Sequence, residues 1–177
     1  MQQQAMLTEF VSKRGKLIRV RQIRADEAYL LLDLFAHMSS ESRYQRFLQT
    51  VDHISKQRLW DEAAHIARQS EAGDVCLGGF VMNKRGQETL VGAARYVQVD
   101  AGSVEIALSI RDDYQNQGVG TGLLALLIGE ARERGVSQIV ATVQNDNERM
   151  LHLLHLLDLP VTRTVEGASS FFAIDLV

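Results

Sequence analysis

The sequence predicts a mixed α and β fold (α+β) in which helices enter and leave a largely antiparallel sheet, and three features predict it. Apolar runs joined by short polar turns fill residues 74–110, a glycine-rich turn and a strongly apolar helix follow them, and helical periodicity flanks the block on both sides. Taken in order, KLIRVRQIR (residues 16–24) alternates Leu17, Ile18 and Val20 with basic residues and reads as the first strand. Helical spacing takes over from Asp26 to about His37, with Leu30, Leu31, Leu34 and Phe35 on one side. SSESRYQRFL offers Ser40 as a cap ahead of a short helix, and a further helix from Ser55 to about Gln69 carries Leu59, Ala63, Ile66 and Ala67.

DVCLGGFVMN and ETLVGAARYVQV, joined by KRGQ, are two strands, and SVEIALSI follows the turn DAG as the third member of an antiparallel meander. Next come a helix from about Gly118 to Arg134 stopped by Gly135, a strand QIVATVQ, and a helix from about Asp146 to Leu157. Two short strands, PVTRTV and SSFFAIDLV, end the chain.

The 177 residues amount to one domain at roughly 150 residues per domain, with about 1–15 as an N-terminal extension. A net charge of -3 with lysine and arginine spread along the chain lacks the basic stripe of a nucleic-acid binder. Cys76, the single cysteine, excludes an internal disulfide and a cysteine-based zinc site, suits a reducing compartment, and reads as a small buried hydrophobe. MQQQAMLTEFVSKRGKL lacks the apolar core of a secretory signal and no run approaches a membrane span, so the cytoplasm is the expected location and no membrane partner is expected.

The turn QNQGVGTG fits neither common phosphate-binding fingerprint. A P-loop needs Gly-Lys after four residues, and a dinucleotide fold needs a third glycine three places after the second; Leu123 occupies both places. What remains is Gln115, two residues, Gly118, one residue, Gly120, where a strand ends and a helix begins. The backbone N–H groups of Gln117, Gly118, Val119, Gly120 and Thr121 then open onto an anion site, aided by the positive end of the helix dipole. Val119, Leu123, Leu126, Leu127 and Ala131 sink the helix against the sheet and hold that end rigidly.

In this setting DDYQNQGVGTGLL resembles the GNAT superfamily of N-acetyltransferases, whose signature is Gln or Arg, two residues, Gly, one residue, then Gly or Ala after the fourth strand. NDNERMLHLLHLLDL matches a second family element through Asn147 and Met150. Within the superfamily the chain is most similar to catalytic domains of bacterial protein lysine acetyltransferases, through SSESRYQRFL and VEIALSIRDDYQNQGVG. The resemblance implies helices on both faces of the sheet and acetyl-CoA lying between splayed fourth and fifth strands. Its pyrophosphate would sit on the loop from Gln115 to Gly122, and its pantetheine arm would meet the backbone at Leu108 and Ile110 and the side chain of Asn147.

An amine attacks a thioester only when neutral, yet a lysine-like ammonium has a pKa of about 10.4, so the reaction needs a base. Glu105 is the candidate: alternation puts it on one face with Ala107 and Ser109, while Val104, Ile106, Leu108 and Ile110 point the other way, and relatives carry their catalytic glutamate at the matching position. Many relatives place an acid, a tyrosine, on the last helix; counting from Asn147, that place is Leu154 here. LDLP (157–160) replaces the family's Leu-Gly-Phe and is expected to alter the wall behind the CoA arm. His152 and His155 complete no metal site. Arg43, Tyr44, Arg46, Arg95 and Tyr96 are placed beside the acceptor groove without a role. The expected partners are a CoA thioester and an amine, either a small molecule or a protein lysine; the alternative is a degenerate module that binds CoA without turnover.

Overall fold

The computed structural model describes residues 8–47, 55–69 and 73–177. Among them, β1 (Thr8–Val11), β2 (Leu17–Gln22), β3 (Val75–Met82), β4 (Glu88–Asp100), β5 (Ser103–Ile110), β6 (Gln138–Gln144), β7 (Val161–Glu166) and β8 (Ser169–Asp175) form one sheet. Its order is β1-β2-β3-β4-β5-β6-β8-β7, and every neighbouring pair is antiparallel except β5 with β6.

Helices cover both faces. The register pairs Cys76 with Arg95 and Leu77 with Ala94, so successive residues of β3 and β4 serve different cores. Cys76, Phe80, Leu90 and Ala93 pack with helices α1 (Ala28–Ala36) and α3 (Lys56–Gln69), joined on that side by α2 (Ser40–Phe47). Leu77, Ala94 and Tyr96 pack on the opposite face with α4 (Val119–Glu133) and Leu154 of α5 (Glu148–His155). This two-sided cover is why β3 is apolar at almost every position and shows little alternation.

Close approach of α4 to the sheet depends on glycine. Leu123 lies over Gly79 and Gly92; a Cβ on Gly92 would stand 2.8 Å from the Ile110 Cδ1 and 3.0 Å from the Leu123 Cδ1. Gly92→Val is therefore an overpacking substitution, expected to lower unfolding free energy by about 1–3 kcal/mol in a denaturant titration. An unchanged midpoint would mean that α4 is not seated there.

Several boundaries differ from the sequence expectation. Ser39, not Ser40, caps α2: its Oγ accepts from the Ser42 N–H at 3.1 Å, and the helix already begins at Ser40. The first helical stretch divides into a tight turn at Ala25–Glu27 and α1. Buried Glu27 accepts from the Arg24 N–H at 3.0 Å and the Arg21 Nη1 at 2.8 Å at that junction. Helix α5 is shorter than 146–157, because the Asn147 side chain caps its start and the chain leaves after His155 to enter β7.

Strand β1 falls inside the expected N-terminal extension, where the sequence reading placed no strand. Four residues are too few for alternation to register, and the strand is held from outside: it pairs with β2, and its Phe10 ring occupies the space over Gly122 of α4. Residues 1–7 of that extension, and Leu48 at the end of SSESRYQRFL, lie outside the described residues. No helix among the described residues is long and apolar enough to cross a membrane.

Candidate cofactor and catalytic site

The parallel pair β5 and β6 is joined over only three rungs, Ser103 with Gln138, Val104 with Ile139 and Glu105 with Val140. Beyond Glu105 the strands part, and among the described residues no strand lies beside the edge of β5 from Ile106 to Ile110, although its other edge stays paired to β4. The gap opens a groove of about 150 Å³. Its floor is Ile106, Leu108, Ile110, Ala141 and Val143; α2 contributes Ser42, Gln45 and Arg46, and the α5 side contributes Asn147, Arg149, Met150 and Leu153. Because β1 adds a strand at the front, β5 and β6 are the strands numbered fourth and fifth from sequence.

The glycine turn stands at the open end of this gap. After β5 the chain makes a short helical turn at Asp112–Tyr114, and then Asn116 (φ 57°) and Gly118 (φ 84°) both take the left-handed conformation. Glycine adopts that geometry most freely and asparagine is the side-chain-bearing residue that tolerates it best, and Gly118 is the residue from which α4 starts. The N–H groups of Gln117, Gly118, Val119, Gly120 and Thr121 have no hydrogen-bond partner among the described residues, and no side chain caps the helix. They sit where the dipole is equivalent to about half a positive charge. Gly122 stands apart from its neighbours: its N–H donates to the Gly118 carbonyl at 3.0 Å, closing the first helical turn, and its Cα faces Phe10.

Side chains brace the loop. The Gln115 amide donates to the Ser42 Oγ at 3.1 Å, the Ile110 carbonyl at 3.2 Å and an Asp112 carboxylate oxygen at 3.2 Å. The buried Gln117 amide donates to the Asp113 carbonyl at 2.6 Å. Val119 is buried and presents only its backbone, whereas Thr121 is exposed. Gly120 lies between the groove walls, with a Cβ there 3.2 Å from Leu153 and 3.5 Å from Leu108.

Glu105 is exposed on the last joined rung, between Val97 and Val140, on the α2 side of the sheet. The structure brings together the face expected from alternation. Val104 and Ile106 are buried on the other side, Ala107 lines the groove, and buried Ser109 accepts from the Arg46 Nε at 3.0 Å. Glu105 itself is not one of the groove-lining residues; it stands one residue before them. Burial, and secondarily the neighbouring Arg95 cation, push Arg46 down to about 10, with Glu62 and Glu105 among the groups acting the other way. Arg95 donates to the Gln69 Oε1 at 2.6 Å on this same face.

Tyr96 does not border the acceptor side. It is buried in the α4 core on the opposite face, because adjacent residues of a strand point oppositely. Cys76 is buried behind Arg46 and Arg95, and burial pushes its thiol up to about 12. A thiol so rarely ionised is a poor nucleophile. Native protein is accordingly expected to resist iodoacetamide at pH 8 and to be labelled once denatured, as mass spectrometry would read.

At the start of α5, Asn147 lines the groove; its Oδ1 accepts from the Met150 N–H at 3.1 Å, and its amide nitrogen has no partner among the described residues. Leu154 is buried in the core and does not face the groove; Leu153 does. Among the described residues lining the groove there is no tyrosine, cysteine or histidine. LDLP is no wall of it either. Leu157 and Leu159 line a separate hollow with His152, His155 and Arg163, because the chain turns away after α5 and the Pro160 carbonyl accepts from the Asp175 N–H at 3.0 Å.

The sequence reading set Arg43, Tyr44 and Arg46 beside the acceptor groove without a role; the structure shows that their helix closes the groove from above, with Arg46 lining it. Helix α2 is tied to the loop through Ser42, to β5 through Arg46, and to the entry of α5 through Gln45, whose amide donates to Asp146 at 3.0 Å. Nothing local in SSESRYQRFL announces these partners.

Residues 36–157, more than half of the chain, match the sequence model of the Acetyltransferase (GNAT) family. The chain is 28% identical over 140 residues to an acetyltransferase of Pseudomonas aeruginosa, covering 78% of this chain and 73% of that protein. The fold superposes on the GNAT domain of the S. lividans PAT protein with a TM-score of 0.79 at 24% identity, covering 95% of this chain and 96% of that one. It also superposes on the yncA protein of Salmonella typhimurium, solved with its cofactor acetyl-CoA, with a TM-score of 0.67 at 18% identity over 90% of this chain and 94% of that one.

Proposed function

The chain belongs to the acetyltransferase (GNAT) family, and from that premise we propose that it moves the acetyl group of acetyl-CoA onto an amine by direct attack in a ternary complex, with Glu105 as base. The observation that carries this reading is the parting of β5 from β6 beside the open N–H groups of the glycine loop. A long ligand with a pyrophosphate at one end and amides along its arm suits both. The anion meets the N–H groups of 117–121, and the arm completes the unpaired edge of β5 at Leu108 and Ile110 with the Asn147 amide opposite.

Acetyl-CoA supplies the activated carbonyl. Glu105 takes the proton of the incoming ammonium, directly or through a water, so that the nitrogen lone pair forms the new C–N bond; as the C–S bond breaks, the second proton that the nitrogen sheds on becoming an amide passes to solvent or to the departing sulfur. Backbone N–H groups on the free edge of β5 meet the negative charge that develops on the carbonyl oxygen. With no tyrosine, cysteine or histidine among the described groove residues, the sulfur leaves as thiolate or takes a proton from water, which a thiol of ordinary pKa about 8.5 allows.

In this reading the acceptor is a protein lysine or a small amine, and the setting is the cytoplasm. The test is free-thiol release from acetyl-CoA against a panel of small amines and lysine peptides, with calorimetric CoA binding in parallel. Turnover that requires both the donor and one class of acceptor is the expected result. Tight CoA binding with no turnover across the panel would replace it with a non-catalytic CoA-binding role.

A further inference from the structure

We propose that the turn joining β1 to β2 is part of the cofactor site, and that Lys13 on that turn supplies a cation to the pyrophosphate of CoA. This rests on the reading of the glycine loop as the phosphate seat. The turn is docked on that loop. The Lys13 N–H donates to the Gln117 carbonyl at 2.8 Å, and the Lys13 side chain runs over Gly118, with its Cγ and Cε 3.7 and 3.9 Å from where a Cβ on that glycine would stand. Phe10 anchors the preceding strand against Gly122.

The turn holds a fixed shape. The Ser12 N–H donates to the Lys16 carbonyl at 2.8 Å, the Gly15 N–H to the Ser12 carbonyl at 2.9 Å, and the Lys16 N–H to the Ser12 Oγ at 3.2 Å. Gly15 takes the positive φ of 75° that closes it. Lys13 is thereby carried across the start of α4 by a rigid support.

Its placement is unfavourable as it stands. A lysine laid over the N-terminus of a helix meets the positive end of the dipole, where an anion is the stabilising charge. Neither Lys13 nor Arg14 makes a side-chain hydrogen bond or ion pair among the described residues to offset this. The nearby acids are engaged elsewhere: Asp113 pairs with Arg111 at 2.9 Å, and Asp112 accepts from the Ser39 N–H and from Gln115. A pyrophosphate on the N–H groups of 117–121 turns this repulsion into an attraction on both sides. The glycine loop lacks the lysine that a P-loop carries, and Lys13 brings that charge from a turn outside residues 36–157.

The test is calorimetric binding of CoA, dephospho-CoA and pantetheine to the full chain and its K13Q, K13E and K13R variants. With one exposed charge at stake, K13Q is expected to weaken CoA and dephospho-CoA alike by roughly five- to tenfold, K13E by more, and K13R little; pantetheine, which lacks the pyrophosphate, should bind wild type and K13Q equally. Unchanged CoA affinity in both K13Q and K13E overturns the proposal. Weaker binding of CoA with dephospho-CoA unaffected would overturn the pyrophosphate assignment and move the contact to the 3′-phosphate. A Gly120→Glu control separates the two readings: if it abolishes CoA binding while K13Q and K13E do nothing, Lys13 alone is wrong, and if it binds CoA normally, the loop itself is not the phosphate seat.

Discussion

Gly120→Glu removes CoA binding, raising its Kd by at least about a hundredfold, while the protein remains folded. The magnitude follows from what the side chain meets. Gly120 sits between Leu108 and Leu153, 3.5 and 3.2 Å from a Cβ built there, so a longer side chain enters the groove where the arm of the ligand leaves the loop. Its carboxylate also lies in the first turn of α4, where it takes up the open N–H groups that a pyrophosphate needs and repels the phosphates themselves. An acid in the first turn favours a helix, so loss of the fold is not the expected route to loss of binding. Circular dichroism checks the fold and calorimetry the affinity. Gly120→Ala, whose methyl carries no charge, should cost far less. Wild-type affinity in Gly120→Glu would remove the glycine loop from the cofactor site.

Glu105→Gln is the second large effect, and it should fall on turnover with CoA binding unchanged. The replacement keeps the shape of an exposed residue between Val97 and Val140, so packing is left alone. What it loses is the ability to take a proton, for which positioned side chains contribute typically about 100- to 10,000-fold. The variant should recover in part as pH rises. An acceptor ammonium near its ordinary pKa of about 10.4 is deprotonated tenfold more for each unit of pH below that value, so base assistance matters less at higher pH. A variant as active as wild type at pH 7 would exclude Glu105 as the base, leaving attention on the other polar groups of the groove.

Local chemistry made much of the fold readable. QIVATVQ coincides with β6, and the meander of β3, β4 and β5 was marked by short turns rich in Gly, Asp and Lys. Glu105 stood out because a carboxylate in mid-strand is unusual, and period-two alternation was enough to put it beside Ala107 and opposite Ile106. The glycine loop was legible for a similar reason. Its left-handed Gly118 and open N–H groups depend on the backbone of a few consecutive residues.

Other features required chains of contact that no local pattern contains. Strand β1 was missed because four residues acquire a strand only from β2 and from Gly122, which lies more than a hundred positions away. Tyr96 was placed on the wrong side beside Arg95, a difference of one residue that reverses the face of the sheet. Leu154 and LDLP looked like changes to the groove, but α5 turns Leu153 toward it and the chain then departs for β7.

What the sequence by itself determined was the run of strands and helices from β2 onward, the open helix start at 117–121 and the mid-strand carboxylate at Glu105. Each depends on backbone geometry or on side-chain periodicity over a few residues. Only the tertiary structure decided where β5 and β6 part, how α2 roofs the gap through Ser42, Gln45 and Arg46, and that Lys13 lies on Gly118. These are contacts between segments far apart in the chain, set by how two cores pack on opposite faces of one sheet.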